Sequence, residues 1–196
     1  MRNIKVGIDL DNTIINYEHS FKKYLKENKI FLNKVDKSRF KYIANNSSKF
    51  INWTAVQEEI YGYYIFYAKP FKYFKEFEKF ASKNKIKLFI VSHKTKYSQF
   101  SKKYNLRLAA NKWIKKNIKT KMYKIFYVNT INEKIEIIQK NKLDYFIDDL
   151  IEIFLKKNFP SKTNKIFFSN RKTLKILSIK TWKGIKNEIK KTENYK

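Results

Sequence analysis

Cysteine is absent from this 196-residue chain, which removes disulfide frameworks and Cys-based zinc sites from consideration. A cytoplasmic setting is the expectation that goes with that absence. Glycine and proline are almost missing as well, at three and two residues. Regular helices and strands joined by short polar loops should therefore make up most of the chain. No stretch approaches the ~20 consecutive apolar residues of a membrane span. No apolar leader is read at the start either, since Met1-Arg2-Asn3 runs straight into a strand-like segment. Acidic residues are scarce, 17 against 45 Lys and Arg, and this makes any clustered acids informative.

What is present is a chain with enough apolar residues for a sizeable core, 43% hydrophobic and 17% aromatic. The net charge of +28 invites a nucleic-acid or anionic-membrane partner. Two features argue against that. Only Arg2, Arg39, Arg107 and Arg171 carry the planar fork suited to bidentate phosphate and base contacts. The lysines are also spread from Lys5 to Lys196, in a chain that is rich in Ile, Asn, Tyr and Phe as well. Lysine at solvated positions under a compositional bias is the preferred reading. Nucleic acid and membrane are thus not the expected partners; a small anionic molecule is.

Along the chain, Ile4 to Asp9 reads as a buried strand ending in acids. A helix is expected over 16–28, then two helical patterns around Ser38–Ile43 and Trp53–Tyr64, separated by a loop at Asn45–Ser48. Pro70 breaks the pattern. Helix and strand then alternate: helix 71–82, strand 86–91, helix 105–117, strand 123–128, helix 132–140 and strand 144–147. A short helix 151–157, strands 165–168 and 174–179 and a helix 182–191 complete it. This alternation implies an α/β fold with a parallel sheet between helical layers, its ligand edge at the strand C-termini. Residues 16–69 interrupt it and are expected to form a helical cap on a core of 1–15 and 70–196.

The chemistry-bearing residues fall at strand ends. Asp9 and Asp11 in Asp9-Leu10-Asp11-Asn12-Thr13 form a costly pair without a cation, which argues for magnesium. A capping role for Asp11 or Thr13 is the alternative. Ser92 offers a hydroxyl after an apolar run, for a phosphoryl oxygen or for a helix cap. His93 follows, as a substrate contact or a surface residue. Asp148-Asp149 is an acidic doublet after Phe146-Ile147.

In this order the segments resemble the haloacid dehalogenase superfamily, whose first motif is D-x-D-x-T after an apolar strand. The resemblance covers residues 3–170 apart from the insertion. It implies a Rossmannoid three-layer fold and a magnesium-dependent phosphatase. By it, Asp9 is the nucleophile and a metal ligand. Asp11 is the general acid and base, and ligates through its carbonyl. Ser92 binds the phosphoryl group. Lys134 neutralises the nucleophile, with Lys140 and Lys142 as weaker competitors, and Asp148 and Asp149 complete the metal site. Leu10, Asn12, Thr13, Ser92, His93 and Lys94 are the expected substrate contacts. The segments Val91–Thr95, Asn132-Glu133-Lys134 and Phe146–Leu150 are also similar to a bacterial branch found near surface-polysaccharide genes.

The implied activity is hydrolysis of a small phosphomonoester, such as a sugar phosphate, through an aspartyl phosphate. A 5'-nucleotidase is the alternative. From another class comes a basic nucleic-acid-binding protein on an inactive fold of this kind. Tyr61, Tyr63, Tyr64, Tyr67 and Lys69 are the insertion residues expected to face substrate, or to form the core of the cap.

Overall fold

A computed structural model describes residues 4–30, 52–120 and 124–193. The helical pattern around Ser38–Ile43, the Asn45–Ser48 loop and Tyr123 lie outside the described residues. The strands are β1 (Lys5–Ile8), β2 (Ile15–Asn16), β3 (Lys69–Pro70), β4 (Lys87–His93), β5 (Lys124–Val128), β6 (Tyr145–Asp148), β7 (Asn164–Phe167) and β8 (Leu177–Ser178). The helices are α1 (Glu18–Glu27), α2 (Trp53–Tyr61), α3 (Phe74–Lys83), α4 (Leu106–Asn117), α5 (Ile131–Lys140), α6 (Ile151–Phe154) and α7 (Trp182–Glu193), with a 3-10 turn at Tyr64–Tyr67.

Six strands form one sheet in the order β5-β4-β1-β6-β7-β8, and β2 pairs with β3. All neighbours in the large sheet run parallel. The parallel α/β fold expected from the alternation is therefore present. From β1 the chain builds β4 and β5 on one side, then crosses to β6, β7 and β8 on the other. The strand order thus reverses about β1, and the crevice beyond its C-terminal end is where such sheets bind ligands.

The described chain divides into two compact units. The first comprises 1–15, 70–93 and 120–196 and contains the six-stranded sheet. One cluster in its core joins Phe89, Val91 and Phe146 of the sheet to Ile135 and Ile138 of α5. Gly7 lies between Phe89 and Phe146 in the register, and a Cβ there would come within 2.7 Å of the Phe146 ring. A small residue in β1 thus makes room for a large one in β6. Elsewhere Trp182 of α7 is fully buried, with its ring 4.8 Å from Phe74 and 4.8 Å from Phe77 of α3.

With so little glycine, another residue must stop the helices. Helices α1, α3 and α5 are followed by Asn28-Lys29-Ile30, Asn84-Lys85-Ile86 and Asn141-Lys142-Leu143. The middle lysine adopts the left-handed conformation each time, with φ of 54°, 56° and 51°. Ile86 N–H donates to the Ala81 carbonyl at 2.9 Å and Lys85 N–H to Ser82 at 3.2 Å. Leu143 and Lys142 repeat this on Ile138 and Gln139 at 3.2 and 2.9 Å. These are Schellman caps with lysine where glycine is usual, closed by an apolar residue. Ile86 and Leu143 are both buried, so core burial offsets the backbone strain.

The second unit comprises 16–69 and 94–119. The alternation of helix and strand puts helix 105–117, and with it 94–119, in the expected core of 1–15 and 70–196, whereas in the structure 94–119 packs with 16–69. Trp113 of α4 is fully buried, and its indole N–H donates to the Ala68 carbonyl at 2.9 Å. Lys103 pairs with Glu59 of α2 at 2.6 Å, and the Tyr104 hydroxyl donates to the same carboxylate at 3.0 Å. The buried Glu58 carboxylate accepts from the Ser101 hydroxyl at 2.9 Å. Of the aromatics at 61–67, Tyr64 is buried and donates to Glu27 at 2.6 Å, whereas Tyr63, Phe66 and Tyr67 are exposed. Tyr64 is therefore a structural aromatic of this unit.

Candidate active site

The site is built where β1, β4 and β6 end side by side. Asp9 N–H donates to the Ile147 carbonyl at 2.9 Å, extending the β1–β6 ladder by one residue and bringing Asp9 alongside Asp148. The chain then turns out of the sheet. Asn12 takes up φ 61°, a conformation that Asn tolerates better than most residues, and its N–H donates to the Ile15 carbonyl at 3.0 Å. Asp11 forms an isolated bridge with Ile15. The Leu10 side chain is buried and its carbonyl accepts from Ile14 and Ile15 at 3.0 and 2.9 Å, so its remaining polar group is its N–H. Thr13 is buried, with its carbonyl accepting from the Trp182 indole at 3.0 Å and its hydroxyl 3.5 Å from Asp149 Oδ1.

The centre of the site is a lysine among acids. Lys134, on the first turn of α5, is 2% exposed. Its ammonium donates to Asp9 Oδ1 at 2.6 Å and to Asp148 Oδ2 at 2.7 Å. The other Asp148 oxygen accepts from Leu150 N–H at 2.9 Å. Asp9, Asp148 and Asp149 each place a carboxylate oxygen within 4.8 Å of the others. Lys140 and Lys142, at the far end of α5, are both exposed.

Charge in this cluster is unbalanced. Burial pushes the Asp9 carboxyl well above the ordinary carboxylate range; Lys134 opposes that, while Asp148, Asp149 and Asp11 add to it. Burial would depress the Lys134 ammonium, but Asp148 and Asp9 outweigh it and hold the lysine above its usual range. The two directions agree, because one ammonium cannot neutralise several converging carboxylates. A hard divalent cation with oxygen ligands suits the remaining negative charge. The Ser92 hydroxyl in β4 also fits a site for an anionic group. It is buried and has no hydrogen-bond partner among the described residues, an uncommon state for a buried hydroxyl.

The other expected contacts sit at the end of β4. His93 is exposed, with Nε2 2.6 Å from the Asn129 carbonyl. Lys94 belongs to the second unit, where its buried ammonium lies 4.7 Å from the centre of the Tyr61 ring. The sequence reading gave no role to Asn129, Thr130 and Glu133, which cap α5 beside His93 and Lys134. The signal for them was Thr130-x-x-Glu133, a helix-start pattern.

No protein-family model matches the chain. No curated protein matches it either. Solved structures do. A protein assigned as a haloacid dehalogenase-type hydrolase from Bacillus subtilis, bound to magnesium, aligns with TM-score 0.66 at 10% identity over 96% of this chain and 99% of that one. One assigned as a phosphoglycolate phosphatase from Lactobacillus delbrueckii subsp. bulgaricus gives 0.61 at 13%, over 96% and 99%. A hydrolase of the same superfamily from Ehrlichia chaffeensis gives 0.56 at 16%, over 97% and 98%. Near-complete coverage of both chains, together with the six-stranded parallel sheet, gives this chain the fold of the haloacid dehalogenase-like hydrolases.

Proposed function

We propose that this chain is a magnesium-dependent phosphomonoester hydrolase in which Asp9 is the nucleophile. The observation that carries the reading is the buried cluster of Asp9, Lys134 and Asp148, with an oxygen of Asp149 within 4.8 Å of those of Asp9 and Asp148. The Asp9, Asp148 and Asp149 carboxylates, with the Asp11 carbonyl, would hold the ion. When bound, magnesium supplies the positive charge that lets a carboxylate and an anionic phosphate approach each other.

Asp9 attacks phosphorus in line, forming an Asp9 O–P bond as the ester P–O bond breaks. Asp11 gives its proton to the departing alkoxide, then takes one from the water that attacks the aspartyl phosphate. Release of inorganic phosphate restores Asp9. Lys134 favours the ionised form of Asp9 and orients it through both steps. The Ser92 hydroxyl and the Leu10 N–H donate to phosphoryl oxygens, with Asn12, Thr13, His93 and Lys94 as further contacts. The second unit, whose described part is mainly helical, is the candidate for choosing the leaving group, and a sugar phosphate is the first class to try.

The test is phosphate release from p-nitrophenyl phosphate, sugar phosphates and nucleoside monophosphates, with magnesium and with EDTA. Release that requires magnesium and is lost in Asp9→Asn supports the reading. Turnover by Asp9→Asn at the wild-type rate would end it.

A further inference from the structure

Glu133 lies next to Lys134 in sequence, yet the proposed chemistry gives it no role. Its surroundings suggest one. The Thr130 hydroxyl caps α5 by accepting from Glu133 N–H at 3.1 Å. In the usual reciprocal cap the glutamate would reach back to the Thr130 N–H. Here Glu133 Oε2 reaches one residue further and accepts from Asn129 N–H at 2.9 Å. The Asn129 carbonyl in turn lies 2.6 Å from His93 Nε2. A carbonyl can only accept, so Nε2 carries the hydrogen, and Nδ1 is left as the nitrogen for any other partner. Both backbone polar groups of Asn129 are thus engaged, one by Glu133 and one by His93.

We propose that Glu133 is a positioning residue, acting through Asn129 to fix the ring of His93 at the phosphate site. The proposal rests on the functional reading above for the place of His93 at that site. The physical reason is economy of motion. An exposed imidazole has two free torsions, and one bond to a mobile loop carbonyl would hold it loosely. Tying Asn129 to the rigid first turn of α5 makes that carbonyl a fixed acceptor. It also sets His93 in register with Lys134, which hangs from the same turn through its N–H to the Thr130 carbonyl at 3.2 Å. A purely structural cap is the competing account, and Thr130 provides the comparison. Thr130→Ala removes a cap bond to α5 without touching the link from Glu133 to Asn129.

The experiment uses the full chain labelled with nitrogen-15. The sequence has two histidines, His19 and His93, so His93→Gln assigns the ring signals. Inorganic phosphate is the binding probe and p-nitrophenyl phosphate the substrate. In the wild type, His93 should show the Nε2–H tautomer and respond to phosphate. Glu133→Ala should shift its ring resonances towards a tautomeric average, weaken phosphate binding and raise KM, each by about tenfold. Glu133→Gln should rescue all three, because its side-chain carbonyl still accepts from Asn129. Thr130→Ala should lower Tm while leaving the His93 signals and KM as in the wild type. Should Glu133→Ala not fold, Glu133→Asp, which withdraws the carboxylate by one methylene, serves for the same comparison. Unchanged His93 resonances on loss of the Glu133 contact overturn the proposal. So does an equal effect from Thr130→Ala, or a wild-type His93 that ignores phosphate. A wild type that binds phosphate with the expected His93 response but hydrolyses nothing defeats the functional reading alone.

Discussion

The Lys134 ammonium and an Asp9 oxygen lie 2.6 Å apart, both buried, in a cluster whose acids outnumber its cation. This relationship bears on stability and, in the proposed reaction, on chemistry. Asp9→Asn should abolish turnover, because an amide cannot form the acyl phosphate. It should not unfold the protein. The Asp9 carboxyl is raised by burial, so its favourable contribution is full below the unfolded-state value and is lost as pH rises through the folded one. At pH 7 in EDTA the Asp9→Asn variant, neutral at this position, should melt at or above the wild-type Tm, as calorimetry can show. A marked drop in Tm would contradict the charge imbalance.

Removing the cation should have the opposite effect. Lys134→Met leaves Asp9 and Asp148 facing each other without compensation, at a cost of about 3 kcal/mol. Protonation of those acids relieves the repulsion. The loss, read from urea midpoints, should therefore be larger at pH 8 than at pH 5. A pH-independent loss would mean that Lys134 contributes by packing alone.

Magnesium should stabilise the wild type by about 2.7 kcal/mol at a hundredfold excess over its Kd. Asp148→Asn and Asp149→Asn should each reduce that gain in a thermal-shift titration. Asp11→Asn should keep it, since Asp11 would ligate through its backbone, yet lose about 10²–10⁴-fold in kcat. Loss of the magnesium response in Asp11→Asn would place its side chain among the ligands.

Trp113→Phe should cost about 1–3 kcal/mol, because the buried Ala68 carbonyl loses its indole donor. Limited proteolysis should then cut within 94–119 and 52–69 at matched rates, as expected for one cooperative unit. Cleavage confined to 94–119 would argue that this segment is held independently.

The lysine caps offer a stabilising change. Lys85→Gly and Lys142→Gly remove side chains from left-handed positions and should each add about 0.5–1 kcal/mol. Lys79→Gly, inside α3 with helical backbone, should destabilise by a similar amount. Equal signs at the three positions would show that the left-handed lysines are unstrained.

Much of this was written in local sequence. Apolar runs such as Ile86–Val91 specify buried strands, and β4 at Lys87–His93 follows, with Ser92 inside the strand rather than beyond it. The acids of Asp9-x-Asp11 and Asp148-Asp149 announce themselves because acids are scarce in the chain. The helix stops at Asn-Lys-Ile and Asn-Lys-Leu were equally present but unreadable by a rule that looks for glycine. Lys134 could not be distinguished by its own chemistry from dozens of other lysines. Only the tertiary structure decided that it, and not Lys140 or Lys142, sits buried between Asp9 and Asp148, since that depends on which turn of α5 meets the strand ends. The same holds for α4. Its periodicity fixed a helix, but an amphipathic face states only that it must be buried, not against what. The choice of 16–69 as its partner comes from Trp113, Tyr104 and Lys103 finding Ala68 and Glu59, contacts that exist only once distant parts of the chain are brought together.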